Sequence, residues 1–98
     1  MKIWLDDIRP APKGWAWKKN SQEILVTVIY NSHLIEEISF DHDLGEDSLT
    51  GYDILNVIEQ MVVAGTWEGK LNFHVHSANP VGRRNMQRAI DSIHRMVL

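Results

Sequence analysis

Short apolar runs that stop at polar residues recur along the chain, and they predict the strands of a sheet. Ile3-Trp4-Leu5 and Ile38-Ser39-Phe40 are each followed directly by acidic residues. Residues 71–76 alternate apolar and polar side chains with the period of two that is typical of a strand. Trp15-Ala16-Trp17 alternates in the same way and indicates a short edge strand. The pattern therefore predicts about four strands.

A helix is predicted between the second and third strands. Asn20 or Ser21 supplies a helix cap, and Glu23 places an acid in the first turn. Residues 24–30 are rich in β-branched side chains, so propensity alone favours a strand there. We prefer the helix because one helical face collects Ile24, Leu25, Val28 and Ile29.

Two further helices have clearer signals. Thr50-Gly51-Tyr52-Asp53 has the spacing of a capping box, and Gly65 ends the helix that it begins. The apolar stripe of that helix consists of Ile54, Leu55, Ile58, Met61 and Val62. Asn79-Pro80 is a cap followed by proline at the first helical position. The last helix has a stripe of Met86, Ile90, Ile93 and Val97.

Alternating strands and helices predict one α/β domain over residues 1–98, with a parallel sheet and helices packed on it. In such sheets ligands bind beyond the carboxyl ends of the strands. Three predicted strands end in polar clusters: Asp6-Asp7, Asp41-His42-Asp43 and His76-Ser77-Ala78-Asn79. Because the fold brings these ends to one edge, a functional site is predicted there.

Composition narrows the class of protein. The hydrophobic share of 44% and the charged share of 23% are those of an ordinary soluble domain. No apolar run is long enough to span a membrane, and the N-terminus lacks the features of a signal peptide, so we expect a cytoplasmic protein. The absence of cysteine excludes disulfides and thiolate metal ligands.

The net charge of -3 is unevenly distributed. Residues 36–68 hold nine acids and no Lys or Arg, whereas the C-terminal segment is rich in arginine. This asymmetry indicates two solvated faces of opposite sign. An extended nucleic-acid surface is not expected, because it would need a broad basic stripe.

The four carboxylates at the predicted edge suggest a metal site. Asp6, Asp7, Asp41 and Asp43 would repel one another unless a cation lay between them. With oxygen ligands, a hard divalent cation such as Mg²⁺ or Mn²⁺ is the natural occupant. For any single residue the alternative is turn chemistry, since Asp is common where strands end. For the set together we favour the metal.

The histidines offer proton transfer or metal ligation. His74 and His76 share one face of their strand, and a neutral imidazole there suits either role. His74 is expected to be a buried, hydrogen-bonded core residue, whereas His76 at the strand end is the functional candidate. His42 lies between two aspartates, a position that suits a general acid. It is equally typical of an exposed loop residue.

The start of the last helix predicts a phosphate site. Ser77 and Asn79 precede free backbone N–H groups, and Gly82 and Arg83 follow in the first turn. Arg83 could clamp phosphate oxygens with two hydrogen bonds. The alternative is an ordinary cap followed by surface arginines.

Four tryptophans are assigned from their positions in the predicted elements. Trp4 and Trp67 are expected in the core. Trp15 and Trp17 either wall a pocket or stack a base, and the sequence does not decide between these roles.

The chain resembles the receiver domains of response regulators. Asp6-Asp7 looks like the receiver metal-binding pair, Asp41 lies where receivers carry the phosphoacceptor aspartate, and Ser77-Ala78 looks like the switch residue and the small residue after it. Two features differ: a proline-rich loop replaces the first helix, and the chain ends before a fifth strand. The receiver lysine therefore has no counterpart here.

A closer resemblance is to the short receiver-like family predicted to process cyclic phosphates. It rests on residues 5–9, 12–15, 39–45, 50–53 and 75–82, and it spans nearly the whole chain. The resemblance implies a small, truncated, flavodoxin-like three-layer fold and a small phosphate-containing ligand, either a cyclic nucleotide or an RNA end.

The leading hypothesis is a metal-dependent phosphodiesterase that opens a cyclic phosphate. Asp6, Asp7, Asp41 and Asp43 would form the metal site. Asp41, His42, His76 and Ser77 would be catalytic, with Asp41 either a metal ligand or a nucleophile. Ser77, Asn79, Gly82 and Arg83 would bind phosphate. The alternatives are a module that sequesters a cyclic nucleotide uncut, and a degenerate receiver that accepts phosphate at Asp41.

Overall fold

A four-stranded parallel sheet forms the centre of the computed structural model, which describes residues 1–46 and 48–97. Its strands are β1 (Lys2–Leu5), β2 (Ala16–Lys18), β3 (Glu37–Phe40) and β4 (Phe73–Val75), in the order β2-β1-β3-β4. The predicted edge position of β2 is confirmed, and β4 is shorter than the alternating segment 71–76. Asp47, one of the acids of the 36–68 segment, and Leu98, the last residue of the predicted domain, lie outside the described residues.

The three predicted helices are present as α1 (Ser21–Tyr30), α2 (Gly51–Ala64) and α3 (Pro80–Val97). The Asn20 side chain caps α1 by accepting from the Glu23 N–H at 2.9 Å. Thr50 and Asp53 form the reciprocal capping box of α2. Gly65 ends α2 with a φ of 76°, in the left-handed region that glycine adopts without strain. These local signals fix where the helices begin and end.

The core lies between one face of the sheet and the helices, which pack side by side with α2 in the middle. Side chains in register on β1 and β3 supply the sheet side, and all three helices supply the other. The fully buried apolar residues include Ile3, Leu5, Ile38, Phe40, Ile24, Val28, Ile54, Leu55, Ile58, Met86 and Ile93. The predicted α/β class, with a parallel sheet and helices packed on it, is confirmed.

Two residues predicted in the core stripes are exposed instead. Ile29 is 50% exposed and Thr27 is buried in its place, because the contact face of α1 is centred on Ile24 and Val28. One step along a helix turns the side chain by about 100°, which carries Ile29 away from that face. Val97 is also 50% exposed, at the end of α3.

The opposite face of the sheet carries strand side chains that range from buried Ser39 to half-exposed His74. Trp4, Ser39 and His74 lie in register across it. The prediction that His74 is buried was wrong: its ring is 50% exposed and pairs with Glu37 at 2.6 Å. Trp4 is likewise only partly buried, whereas Trp67 packs against the core.

The connection between β1 and β2 explains why this face differs from the helix-covered one. Pro10 and Pro12 prevent a helix in this loop, since proline lacks the N–H and clashes with the preceding turn. On this face the loop contacts β1, where the Arg9 carbonyl accepts from Trp4 Nε1 at 3.0 Å. Within residues 1–46 and 48–97, no helix combines the length and the apolar character that crossing a membrane requires.

Candidate functional site

The carboxyl ends of β1, β3 and β4 surround an open cleft of about 460 Å³. Its lining consists of Asp6, Asp7, Ile8, Arg9, Asp41, Asp43, Ser77, Ala78 and Asn79. Six of the predicted site residues therefore meet, as the topology of a parallel sheet requires. His42, His76, Gly82 and Arg83 are not among the lining residues, although the first three contact residues that are.

Asp6 lies at the base of the cleft with 1% of its surface exposed. Its Oδ1 accepts from the backbone N–H groups of Ile8 and Arg9 at 2.9 and 2.8 Å. Its Oδ2 accepts from Arg9 Nε at 2.9 Å and from His76 Nε2 at 3.2 Å. Burial alone would raise the pKa of Asp6, but the hydrogen bonds from Ile8 and Arg9 and the Arg9 charge together lower it. Asp6 is thus an ionised carboxylate whose acceptor sites are occupied.

Arg9 is the functional residue that the sequence analysis missed. Its Nη2 donates to the His76 carbonyl at 2.9 Å and lies 3.8 Å from Asp41 Oδ2. The guanidinium therefore stands between two strand-end carboxylates, where the sequence analysis expected a metal cation. A local signal existed: an aspartate that accepts from the N–H groups two and three residues later forms a turn, which folds the i+3 side chain back over it.

The pKa of Asp41 is shifted in the opposite direction from that of Asp6. Its side chain is 13% exposed. Burial, and secondarily the charge of Asp6, raise the pKa of Asp41 above its usual value, although the His42 N–H and the Ser77 hydroxyl oppose the rise. A carboxyl with a raised pKa in a cleft is a candidate base or nucleophile.

Gly51, the second residue of the Thr50-Gly51-Tyr52-Asp53 motif, lies directly against the Asp41 loop. Its N–H donates to the His42 carbonyl at 2.9 Å. A Cβ at Gly51 would overlap the Asp41 carbonyl and press on Met86 Sδ. Glycine at the start of α2 therefore sets the position of the Asp41 loop.

His76 has contacts at both ring nitrogens and at one face of its ring. Its Nδ1 lies 2.7 Å from the Ser39 hydroxyl, and its ring stacks on Trp4 with centroids 3.7 Å apart. Because ionised Asp6 can only accept, Nε2 carries the proton, and Nδ1 accepts from Ser39. Burial lowers the pKa of His76, against the opposing charge of Asp6. The ring is consequently neutral, with both nitrogens engaged.

The predicted phosphate cradle at the start of α3 is already occupied by its own cap. Asn79 Oδ1 accepts from the N–H groups of Val81 and Gly82 at 3.1 and 3.0 Å. Gly82 is buried, and a Cβ there would overlap the His42 ring. Arg83 is exposed on the helix surface. Of the predicted phosphate-binding residues, Ser77 and Asn79 thus reach the cleft.

Polar contacts join Asp43, in the lining of the cleft, to His42 and Asn79. His42 Nδ1 lies 3.0 Å from Asp43 Oδ1, and Asn79 Nδ2 donates to Asp43 Oδ2 at 3.4 Å. The hydrogen bond from His42 lowers the pKa of Asp43, outweighing partial burial. Asp43 is therefore ionised and tied to the start of α3.

The donor set fits a hard divalent cation, with one restriction. Ligand atoms of Asp6, Asp41 and His76 lie within 4.8 Å of one another. Both Asp6 and His76 are already hydrogen-bonded, however, so a cation among these three residues would have to displace Arg9. In the described part of the chain, Asp7 accepts no hydrogen bond and faces the same cleft. Asp7, Asp41 and Asp43 are thus the carboxylates with acceptor capacity left for a metal.

Comparison with known protein families matches residues 1–92 to one of them, described as the cyclic-phosphate processing receiver domain. The matched region includes every residue of the cleft. No curated protein and no solved structure gives a significant match.

Proposed function

The chain belongs to the cyclic-phosphate processing receiver domain family, and from this premise we propose that its cleft binds the cyclic phosphate of a nucleotide or RNA end and hydrolyses it. One observation carries the proposal: Asp41, with its raised pKa, lies beside the Arg9 guanidinium and the Ser77 hydroxyl in an open cleft. A base next to two hydrogen-bond donors is the arrangement that attack of water on a phosphate needs.

Arg9 is the donor best suited to the phosphate. Its side chain is 51% exposed, while Nε is anchored on buried Asp6. Anchoring reduces the conformational freedom that a long side chain would otherwise lose on binding. Ser77, which is 4% exposed, places a hydroxyl in the cleft as a second donor, and it would have to turn from Asp41 to donate to a phosphate oxygen.

A divalent cation is part of this proposal because the cleft is otherwise too acidic for an anion. Asp7 and Asp41, with Asp43 nearby, would hold Mg²⁺ or Mn²⁺. When bound, the ion would neutralise phosphate charge and lower the pKa of a coordinated water.

The chain's own groups then have distinct roles. Asp41 has two carboxylate oxygens, so one would hold the cation while the other takes a proton from the attacking water as the new P–O bond forms. One ester bond of the ring breaks, and the released sugar oxygen takes a proton from solvent, which leaves a phosphate monoester. His76 holds Asp6, and through it Arg9, rather than transferring the proton itself, because both of its ring nitrogens are engaged.

The same hydrogen bonds favour a second candidate function, in which the cleft sequesters a cyclic nucleotide without cutting it. With His76 neutral and held, and His42 directed at Asp43, the cleft has few groups free to protonate a leaving oxygen. A binding protein would use Arg9 and Ser77 in the same way and return its ligand intact.

Phosphorus NMR of 2′,3′-cyclic and 3′,5′-cyclic nucleotides tests these alternatives. We expect ring opening in excess substrate with Mg²⁺ or Mn²⁺, its loss in EDTA, and a loss of at least about 100-fold in Asp41→Asn. Asp91→Asn is the matched control, because Asp91 lies exposed on α3. Stoichiometric binding without turnover would favour sequestration, and full activity in Asp41→Asn would refute the assigned role.

A further inference from the structure

A basic and aromatic segment borders the cleft on the side of the edge strand. From Ile8 to Gln22 the chain carries Arg9, Lys13, Lys18 and Lys19 and no acidic residue. This contrasts with the acidic segment that follows it and with the net charge of -3. Two tryptophans, Trp15 and Trp17, lie within it.

The structure connects these tryptophans to the site. Trp17 Nε1 donates to the Asp6 carbonyl at 2.7 Å, and Trp4 Nε1 donates to the Arg9 carbonyl at 3.0 Å. Trp15 meets Trp4 edge to face, with centroids 6.2 Å apart. The indoles thus form a strip that begins at the cleft and runs outward along β1 and β2.

Cations accompany this strip. Lys19 Nζ lies 4.4 Å from the centroid of the Trp17 ring, and Lys2 Nζ lies 5.8 Å from that of Trp15. Lys2 Nζ also lies 4.0 Å from Glu37 Oε1, with which it forms an ion pair. Within residues 1–46 and 48–97, the Lys19 side chain forms no ion pair, although Glu23 accepts from its backbone N–H. Lys19 is therefore a cation beside the strip that is available to an incoming anion.

We propose that this tryptophan–lysine strip (Trp15, Trp17 and Lys19) binds the bases and backbone phosphate of a single-stranded RNA end whose terminal cyclic phosphate lies in the cleft. Partly exposed indoles interleaved with lysine suit single-stranded nucleic acid, because bases stack on aromatic rings while cations neutralise the backbone.

The strip favours a chain end over a free mononucleotide. A cyclic mononucleotide has one base, and its only phosphate would be bound in the cleft. The strip offers two indoles and a lysine beyond the cleft, which match a second base and the phosphate that joins it to the first. The surface is short, in keeping with the absence of a broad basic stripe. Only the placement of the terminal cyclic phosphate in the cleft rests on the proposed function.

The test measures fluorescence anisotropy of a labelled pentauridylate with an ordinary 3′-hydroxyl, which the cleft cannot turn over. We expect salt-sensitive binding by the wild-type protein. Trp15→Leu should weaken it roughly 5- to 150-fold, the range for loss of one stacked base. Lys19→Gln should reduce the slope of log K against log salt by about 0.7, which is one phosphate contact on a single strand.

Arg95→Gln is the matched control, since it removes one positive charge at the exposed far end of α3. The proposal is overturned if wild-type protein does not bind the RNA at low salt, or if Arg95→Gln weakens binding as much as Lys19→Gln. If circular dichroism shows that Trp15→Leu is unfolded, Lys19→Gln decides the outcome alone.

Turnover separates this proposal from the function of the cleft. RNA binding that depends on the strip, without ring opening of any substrate, would support RNA binding by the strip and contradict the hydrolase. Equal kcat/KM values for uridine 2′,3′-cyclic phosphate and for the pentanucleotide with the same end would support the hydrolase and contradict RNA binding by the strip.

Discussion

Replacing Arg9 with methionine should lower the free energy of unfolding by about 2 kcal/mol. Two hydrogen bonds are lost, from Arg9 Nε to Asp6 Oδ2 at 2.9 Å and from Arg9 Nη2 to the His76 carbonyl at 2.9 Å. The first is the stronger contribution, because Asp6 is charged and only 1% exposed. A hydrogen bond to a charged group contributes about 1.5–3 kcal/mol. The loss should fall short of the roughly 3–5 kcal/mol seen for a fully buried pair, because Arg9 is half exposed and two backbone N–H groups still hold Asp6.

Urea unfolding followed by tryptophan fluorescence at pH 7 measures this difference. For a domain of this size the expected loss corresponds to a fall in Tm of roughly 8–16 °C. Arg83→Met is the matched control, since Arg83 is an exposed arginine of α3, and it should change stability by about 0.5 kcal/mol or less. Methionine keeps most of the apolar stem, so the comparison isolates the guanidinium.

The pH dependence provides a second criterion. The folded-state pKa of Asp6 lies below its usual value of 3.8, so its contribution to stability is complete above 3.8 and is lost as pH falls through the folded pKa. Arg9→Met removes part of that depression, so the difference between the two proteins should shrink on acidification to what the hydrogen bond to the His76 carbonyl contributes. Losses at pH 7 that are equal for Arg9→Met and Arg83→Met, or a difference that does not shrink at low pH, would refute the reasoning.

Two further predictions concern the groups around the cleft. Gly82→Ala should destabilise the protein by about 1–3 kcal/mol, because the new methyl group would overlap the His42 ring; adding His42→Ala should recover much of the loss, and equal unfolding curves for wild type and Gly82→Ala would contradict this. His76 should titrate below its usual pKa of 6.5 in nitrogen-15 NMR, with the proton on Nε2 in the neutral form. Removing its hydroxyl partner with Ser39→Ala should perturb the Nδ1 signal, and an Nδ1-protonated ring would exclude the proposed contact with Asp6.

Local sequence signals predicted most of the secondary structure. The capping box at Thr50, the glycine at position 65 and the Asn79-Pro80 start act within a few residues, so they could be read without the fold. The wrong assignments have a common cause. Whether Ile29 is covered, and on which side of the sheet His74 and Trp4 lie, depends on which face a neighbouring element occupies.

The sequence by itself determined that acidic strand ends converge at one edge of the sheet, because the α/β pattern implies parallel strands and their carboxyl ends lie at the same edge. Only the tertiary structure decided how those groups are used. It joins the Arg9 side chain to a carbonyl 67 positions away, at His76, and stacks Trp4 on that ring. It also directs the Asn79 side chain to its own helix. Such hydrogen bonds require donor and acceptor groups far apart in the chain to be placed to within a few tenths of an ångström. Residue spacing alone does not carry that information.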